Sequence, residues 1–361
     1  MFGCDLKTRL LWTLLAGSCA IGATSAQGQD NRFQQWDKNK DGQLVIEELP
    51  QQLRANFQRV DRNQDGFISQ DEHNRFINRD RPATDQRQDK TYESHRDMAY
   101  VDNGHRRQKL DLFLPLTKSD KPLPLVIFVH GGGWKGGDKG SAPVREFIEA
   151  GFAVASLNYR LSQHAIFPAQ INDCKTAVKW LRTNADQYNI DPNRFGAFGK
   201  SAGGHLVCLL GTTSHNDQHA DSSRKPDNKT SRVQAVCSWY GPTELLTMNQ
   251  QSKKDSVIDH DDKNSPESLL VGGALQTKKD LAKSASPLEH VTPDDASFLI
   301  MHGSRDRLVP CLQSESLHQK LKSNGVNSQL MVIPDAGHGF DRRKYLPNVI
   351  EFFQKELHES K

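Results

Sequence analysis

The sequence predicts an α/β fold, in which helices cover both faces of a mostly parallel sheet, preceded by a small α-helical module. From about residue 91 onward, apolar runs of strand length alternate with segments of helical periodicity. Glycine-rich turns follow several of these runs. Before residue 78, two acidic segments that begin at Phe33 and Phe57 repeat each other. The chain is therefore expected to hold a small module and a larger domain.

Length and charge narrow the function classes. The 361 residues suffice for one large domain and one small one. The 47 basic and 44 acidic residues are interspersed and leave a formal net charge of +3, so no nucleic-acid partner is expected. No internal run is long and apolar enough to predict a transmembrane span.

Residues 1–26 have the pattern of a secretory signal peptide. Lys7 and Arg9 precede an apolar run over residues 10–23, and small residues follow it. We therefore expect a secreted or periplasmic protein, with lipid anchoring at Cys19 as a minor alternative. Beyond this segment the chain carries four cysteines, to which no pairing is assigned: Cys174, Cys208, Cys237 and Cys311.

The repeated segments, FQQWDKNKDGQLVIEE and FQRVDRNQDGFISQDE, match the loop pattern of an EF-hand. Ca²⁺ takes six to eight oxygens, and this spacing supplies them from alternate positions and a final bidentate glutamate. The predicted ligands are Asp37, Asn39, Asp41, Gln43 and Glu48 in the first loop, and Asp61, Asn63, Asp65, Phe67, Ser69 and Glu72 in the second. Leu44 and Ile68, at position eight of each loop, are expected to pair.

The EF-hand pair is assigned to residues 30–78. It resembles the paired EF-hands of secreted bacterial proteins, and calcium there is expected to stabilise a module with little core of its own. A sensor role, or docking of a protein partner, is the alternative. Residues 79–90 lack large apolar side chains and are expected to form a linker. The larger domain is assigned to residues 91–361.

Within this domain the elements follow in order. Strands are predicted at residues 92–101, 109–115, 124–130, 152–159, 194–199, 233–240, 297–303 and 328–334. Helices are predicted through residues 144–151 and 177–185, from Ala202 onward, and through 349–357. Polar insertions at 214–232 and 249–268 interrupt the pattern, and the DHDD run at 259–262 is expected to be a solvated loop.

Residues 199–203, GKSAG, satisfy the pattern of a nucleophile elbow between a strand and a helix. Its glycines let the strand and the helix approach while Ser201 occupies the sharp turn. Upstream, the strand that ends at His130 leads into GGGW. Such a loop turns backbone N–H groups toward one point. The oxyanion-hole donors are expected among the amides of Gly131, Gly132, Gly133 and Ala202. A phosphate cradle fits less well, since the Lys-Ser/Thr ending of a P-loop is absent.

Asp306 and His338 each follow one of the last two predicted strands. Ser201, Asp306 and His338 thus occur in the order nucleophile, acid, base. The imidazole would take the serine proton, and the carboxylate would fix the imidazole tautomer. Five other side chains are alternatives for these roles. His130, His205 and His302 lie in glycine-linked turns and are expected to make structural hydrogen bonds. Asp173 is expected to be a helix or packing partner, and Asp335 lies off the usual acid loop.

From about residue 91 the chain resembles the α/β-hydrolase esterases of the HGGGW and GxSAGGH type. This group includes secreted feruloyl and acetyl-xylan esterases, with lipase-like and arylformamidase relatives. The residues that carry the resemblance are His130 to Trp134, Asn158 to Leu161, Gly199 to His205, Asp306 and His338. Lys200 departs from it, since many relatives have an acidic residue there.

The resemblance implies a secreted serine esterase without a catalytic cofactor, acting on acetyl or feruloyl esters of polysaccharides or on small aryl or acyl esters. Two alternatives among enzymes are a prolyl-oligopeptidase-like peptidase and an arylformamidase. From another class comes a calcium-dependent binding protein with a vestigial hydrolase domain. The presence of Ser201, Asp306 and His338 together argues against that last alternative.

Overall fold

The computed structural model describes residues 32–38, 42–61, 66–69, 72–73, 76, 92–117, 119–213 and 230–357. The chain divides into two compact units, Met1–Arg87 and Gln88–Lys361. The predicted signal peptide (1–26) and the predicted linker (79–90) lie outside the described residues. None of the helices in the described part has the length and apolar content needed to cross a membrane.

The N-terminal unit is built around a short antiparallel ribbon. Strands β1 (Gln43–Leu44) and β2 (Ile68–Ser69) pair so that Leu44 lies opposite Ile68, which confirms the predicted pairing of the two loops. Helix α1 (Arg32–Trp36), a 3-10 turn (Gln51–Asn56) and helix α2 (Phe57–Val60) accompany the ribbon. The apolar core of this unit comprises Phe33, Leu44, Leu49, Phe57, Val60 and Ile68.

The larger unit contains an eight-stranded sheet with strand order β10-β9-β8-β7-β5-β6-β4-β3. The strands are β3 (Tyr92–Ala99), β4 (Lys109–Pro115), β5 (Leu123–Val129), β6 (Ala153–Leu157), β7 (Ile190–Lys200), β8 (Ala235–Trp239), β9 (Ser297–Gly303) and β10 (Ser328–Ile333). β4 pairs antiparallel with β3 and with β6, and the other neighbours are parallel. The predicted fold class, a mostly parallel sheet of the α/β-hydrolase kind, is confirmed.

Helices pack on both faces of this sheet. They are α3 (Val144–Glu149), α4 (Ala169–Thr183), α5 (Ala202–Thr213), α6 (Met248–Gln251), α7 (Pro266–Leu270), α8 (Lys279–Ser284), α9 (Cys311–Ser323) and α10 (Arg342–Glu356). Strand β5 shows why its sequence is continuously apolar. Leu125, Ile127 and Val129 belong to one core cluster, whereas Val126 and Phe128 belong to the other. Alternate residues thus face opposite layers of helix.

The larger unit differs from the sequence-based expectations at several places. Helices α6, α7 and α8 are short elements that were not predicted. Helix α9 was not predicted, because its buried positions include the polar Gln313 and Ser314 beside Leu317 and Leu321, which weakens the apolar periodicity. The DHDD run is not wholly solvated. His260 is fully buried, and its Nδ1 lies 3.1 Å from Oε2 of Glu267.

Candidate active site

Ser201 lies at the turn between β7 and α5. Its φ is 52°, in the left-handed region that only a tightly held turn imposes on a residue with a side chain. The Ser201 N–H donates to the carbonyl of Trp239 over 2.9 Å, and the Ser201 carbonyl accepts from His205 N–H over 3.0 Å. A Cβ at position 203 would collide with the carbonyl oxygens of Val129 and His130, so a glycine is needed for the helix to start so close to β5.

His338 links Ser201 to Asp306 through two hydrogen bonds. Its Nε2 lies 2.9 Å from the Ser201 hydroxyl, and its Nδ1 lies 2.8 Å from Oδ2 of Asp306. An ionised carboxylate only accepts, so Nδ1 carries the proton and the lone pair of Nε2 faces the serine. The loops after β9 and β10 thus bring together three residues that lie far apart in the sequence. This geometry is the one that a serine needs to lose its proton to a base.

The Asp306 carboxylate is held in its charged form. Oδ1 accepts from the backbone N–H groups of Leu308 and Val309 over 2.8 and 2.9 Å. Nε2 of His302 lies 3.2 Å from Oδ2. Burial alone would raise the pKa of Asp306, but hydrogen bonds from His302 and His338 outweigh it and hold that pKa well below the usual range. Asp306 is therefore ionised near pH 7, where it can balance a positive charge on His338.

The glycine loop after β5 lies directly against the elbow. A Cβ at Gly131 would be 2.8 Å from the Lys200 carbonyl oxygen and 3.3 Å from Cβ of Ser201. Gly132 has a φ of 111° and Gly133 one of 57°. Among the described hydrogen bonds, none joins the N–H groups of Gly132 or Ala202 to a protein acceptor. The loop and the first residue of α5 thus present backbone donors beside the Ser201 side chain.

The neighbouring histidines make the structural hydrogen bonds expected of them. His302 contacts Asp306 directly, accepts at Nδ1 from the hydroxyl of Ser314 over 2.7 Å, and donates at Nε2 to the carbonyl of Val309 over 3.0 Å. His205 accepts from the Trp134 indole N–H over 3.2 Å, and its Nε2 donates to the Ala285 carbonyl over 2.6 Å. Burial lowers the pKa of His205 to about 4, so this ring is neutral near pH 7.

Tyr240 is a site residue that the sequence reasoning missed. Its ring centroid lies 4.6 Å from that of His338 and 5.4 Å from that of Phe340. Its φ is 43°, a conformation that is rare for an aromatic residue. The WYG sequence after β8 is a turn signal, but nothing in it indicated that the ring would lie against His338. The Tyr240 ring therefore packs against the His338 imidazole.

The ammonium group of Lys200 lies over two aromatic rings. Its Nζ lies 4.8 Å from the ring centroid of Trp239 and 5.8 Å from that of Phe198. These are cation–π distances, and they place the ammonium group over aromatic side chains on the face of the sheet that includes Phe198 and Trp239. Aromatic neighbours thus accommodate the lysine at position 200, where many relatives have an acidic residue.

The EF-hand loops are described in part. Oδ2 of Asp37 accepts from Gly42 N–H over 2.9 Å, and Oδ2 of Asp61 accepts from Gly66 N–H over 3.0 Å. Both aspartates are buried, as is Glu72. Each loop thus folds its first and sixth residues together, as a calcium loop does.

The last position of each loop also turns inward. Glu48 accepts from Lys38 N–H over 3.1 Å, and Glu72 accepts from Ser69 N–H over 2.9 Å. Gln43 and Phe67, whose carbonyls are the predicted ligands, lie in or beside the ribbon. The remaining predicted ligands lie outside the described residues: Asn39, Asp41, Asn63 and Asp65. In the described part no group of three or more His, Cys, Asp or Glu side chains suited to a metal occurs. The buried carboxylates that are described fit an oxygen-loving cation.

The fold and the Ser201–His338–Asp306 arrangement define an α/β-hydrolase of the esterase class. Residues 110–321 match the BD-FAE family, and residues 53–77 match an EF-hand family. The chain belongs to the BD-FAE family of α/β-hydrolase esterases.

Three relatives illustrate this membership. Esterase LipC of Mycobacterium tuberculosis is 31% identical over 264 residues, which cover 70% of this chain and 63% of LipC. The chain therefore spans less than two thirds of that relative. A solved structure described as a truncated carbohydrate esterase from gut microbiota is 31% identical, with a TM-score of 0.65, and the match covers 74% of this chain and 97% of that one. An acetyl ester-xyloside bifunctional hydrolase from Caldicellulosiruptor lactoaceticus is 27% identical, with a TM-score of 0.54 over 68% of this chain and 85% of that one.

Proposed function

We propose that the protein hydrolyses carboxylic esters through an acyl-enzyme formed on Ser201. The Ser201 oxygen attacks the ester carbonyl carbon while Nε2 of His338 takes its proton. The amides of Gly132 and Ala202, with Gly131 or Gly133 beside them, stabilise the negative oxygen of the tetrahedral intermediate. Its collapse releases the alcohol, which receives the proton from His338. Water then attacks the acyl-serine by the same sequence and frees the acid and Ser201.

A single observation carries this proposal, namely the continuous hydrogen-bonded chain from Ser201 through His338 to Asp306. The donor in each of these two hydrogen bonds follows from chemistry alone. The buried Asp306 carboxylate can only accept, so Nδ1 of His338 donates to it, and the lone pair of Nε2 is free to take the serine proton. A binding protein with an inactive hydrolase fold has no need of such an aligned chain. The geometry therefore favours an enzyme over a vestigial domain.

The substrate class proposed is acetyl or feruloyl esters carried on polysaccharides. The similarity to a carbohydrate esterase from gut microbiota and to an acetyl ester-xyloside hydrolase supports it. A secreted or periplasmic location, proposed from residues 1–26, would place the enzyme where such polymers occur. The EF-hand pair is proposed to bind Ca²⁺ through the loop oxygens named above, and the EF-hand match over residues 53–77 supports this.

The test compares wild type with Ser201→Ala on p-nitrophenyl acetate, acetylated xylan, methyl ferulate, N-formylkynurenine and proline-containing peptides. We expect release of acetate or ferulate by wild type, and a fall in turnover of about 10⁶-fold in Ser201→Ala. Ser119→Ala is the matched control, because the Ser119 hydroxyl bonds the backbone of the nearby Lys121 in an exposed turn, and the backbone carbonyl that accepts from Asn189 is kept in the variant. Near wild-type turnover by Ser201→Ala would refute the assignment of the nucleophile. Preferential cleavage of N-formylkynurenine or of the peptides would replace the proposed substrate class.

A further inference from the structure

Arg107, in the loop between β3 and β4, is buried beneath the glycine loop of the active site. Its guanidinium donates to the Gly137 carbonyl over 2.9 Å and to the Tyr159 carbonyl over 2.9 Å. The same group lies 3.0 Å from Nε2 of His130. Arg107 therefore joins His130, where the glycine loop begins, to Gly137, where it ends. No sequence motif indicated this residue.

The contact with Arg107 determines which nitrogen of His130 carries the proton. A guanidinium only donates, so Nε2 of His130 must accept. Burial and the neighbouring Arg107 charge lower the pKa of His130 to about 3, and the ring is therefore neutral near pH 7. A neutral imidazole that accepts at Nε2 carries its proton at Nδ1. That proton is donated to the Gly131 carbonyl oxygen, 2.7 Å from Nδ1.

Holding the Gly131 carbonyl also orients the N–H of Gly132. The two groups belong to one planar trans peptide, in which C=O and N–H point in opposite directions. Glycines on both sides of this peptide would otherwise let it rotate at little cost. With the carbonyl bonded to His130, the Gly132 N–H points away from that ring. Gly131 itself lies against Ser201, so this peptide lies beside the nucleophile, and among the described hydrogen bonds none joins the Gly132 N–H to a protein acceptor.

We propose that Arg107 is a positioning residue for the oxyanion hole, acting through the His130 tautomer on the Gly131–Gly132 peptide. This inference rests on the proposed function, because it assigns a role within that reaction. Arg107 and His130 touch neither the substrate nor the reacting atoms. Their effect is to restrict one backbone donor to the orientation that the transition state requires.

The first comparison separates positioning from stability. Arg107→Met keeps the length of the side chain but removes every donor. Arg182→Met is the matched control, since Arg182 also donates to main-chain carbonyls, including that of Pro192 over 2.8 Å, and contacts Phe195 away from the glycine loop. At a temperature where circular dichroism shows both variants folded, Arg107→Met should lose about 10- to 100-fold in kcat with little change in KM. Arg182→Met should keep wild-type kcat.

The second comparison separates hydrogen bonding from packing at His130, whose ring stacks on Tyr159 with centroids 4.4 Å apart. His130→Phe keeps an aromatic ring but loses both nitrogens. His130→Asn loses the ring but places an amide N–H where Nδ1 was. We expect kcat to be higher in His130→Asn than in His130→Phe. Affinity for a trifluoromethyl ketone, which places an oxyanion in the hole, should fall in proportion to kcat in each variant.

The outcomes distinguish the inference from the proposed function. If wild type hydrolyses esters but folded Arg107→Met keeps kcat within about twofold, the inference is wrong and the proposed function stands. A higher kcat in His130→Phe than in His130→Asn would also overturn it, because packing would then be the cause. If wild type hydrolyses no ester on the panel, the proposed function fails and the role of Arg107 falls with it.

Discussion

Replacing Asp306 by asparagine is expected to invert the tautomer of His338. Oδ1 of Asp306 accepts from the backbone N–H groups of Leu308 and Val309 over 2.8 and 2.9 Å. In the variant, the amide oxygen must take this position, because an amide NH₂ there would face two donors. The amide nitrogen is then left beside Nδ1 of His338, where Oδ2 now lies at 2.8 Å.

The expected loss of kcat in Asp306→Asn follows from that geometry. An NH₂ group only donates, so Nδ1 of His338 must accept and its proton moves to Nε2, which faces the Ser201 hydroxyl at 2.9 Å. A protonated Nε2 cannot take the serine proton. Loss of the correct tautomer costs about 10⁴-fold in kcat in serine hydrolases of known mechanism, or about 5.4 kcal/mol of barrier. KM should change little, because Asp306 does not contact the substrate.

The assay is steady-state hydrolysis of p-nitrophenyl acetate, with Asp335→Asn as the matched control. Asp335 lies three residues before His338 in the sequence, but its side chain is 72% exposed and pairs with Arg305 over 2.7 Å. The control should keep kcat within about twofold of wild type, since the pair is exposed. Retention of more than about one tenth of wild-type kcat by Asp306→Asn would refute the tautomer argument. A large loss of kcat in Asp335→Asn would refute it as well.

Two further predictions concern stability. Burial lowers the pKa of His205 to about 4, against 6.5 in the unfolded chain. The unfolded state therefore binds more protons as the pH falls below about 6.5. For this residue alone, the free energy of unfolding should drop by about 2 kcal/mol at pH 5. Urea midpoints at pH 7.5 and 5 measure this, and His205→Gln should show a shallower loss; equal slopes in the two proteins would contradict it. Calcium at 100 times its Kd should stabilise the N-terminal unit by about 2.7 kcal/mol, an effect that calorimetry with and without EDTA detects and that Glu72→Gln should reduce. EDTA should leave ester turnover unchanged. A collapse of ester turnover in EDTA would show that calcium acts on the hydrolytic site.

The amino-acid sequence was enough to predict the fold class, which the structure confirms, and to single out Ser201, Asp306 and His338, which the structure joins by hydrogen bonds. Apolar runs that lack alternation indicate strands buried on both faces, and β5 has that pattern because its side chains enter two cores. Ser201 was identifiable because a sharp turn between strand and helix needs glycines at fixed positions. Asp306 and His338 were identifiable because parallel strands end at the same edge of the sheet, where loops that follow them meet.

The side chains that surround these three residues could be identified from the folded structure but not from the sequence. Arg107 reaches Gly137 and Tyr159 across long stretches of sequence. Tyr240 lies against His338 because β8, β9 and β10, whose following loops carry these residues and Asp306, are neighbours in the sheet. Helix α9 and the buried His260 also escaped prediction, since polar residues buried by tertiary contacts leave no apolar periodicity. Short-range sequence patterns indicate the local backbone conformation. Hydrogen bonds between distant segments instead depend on where the folded sheet places those segments.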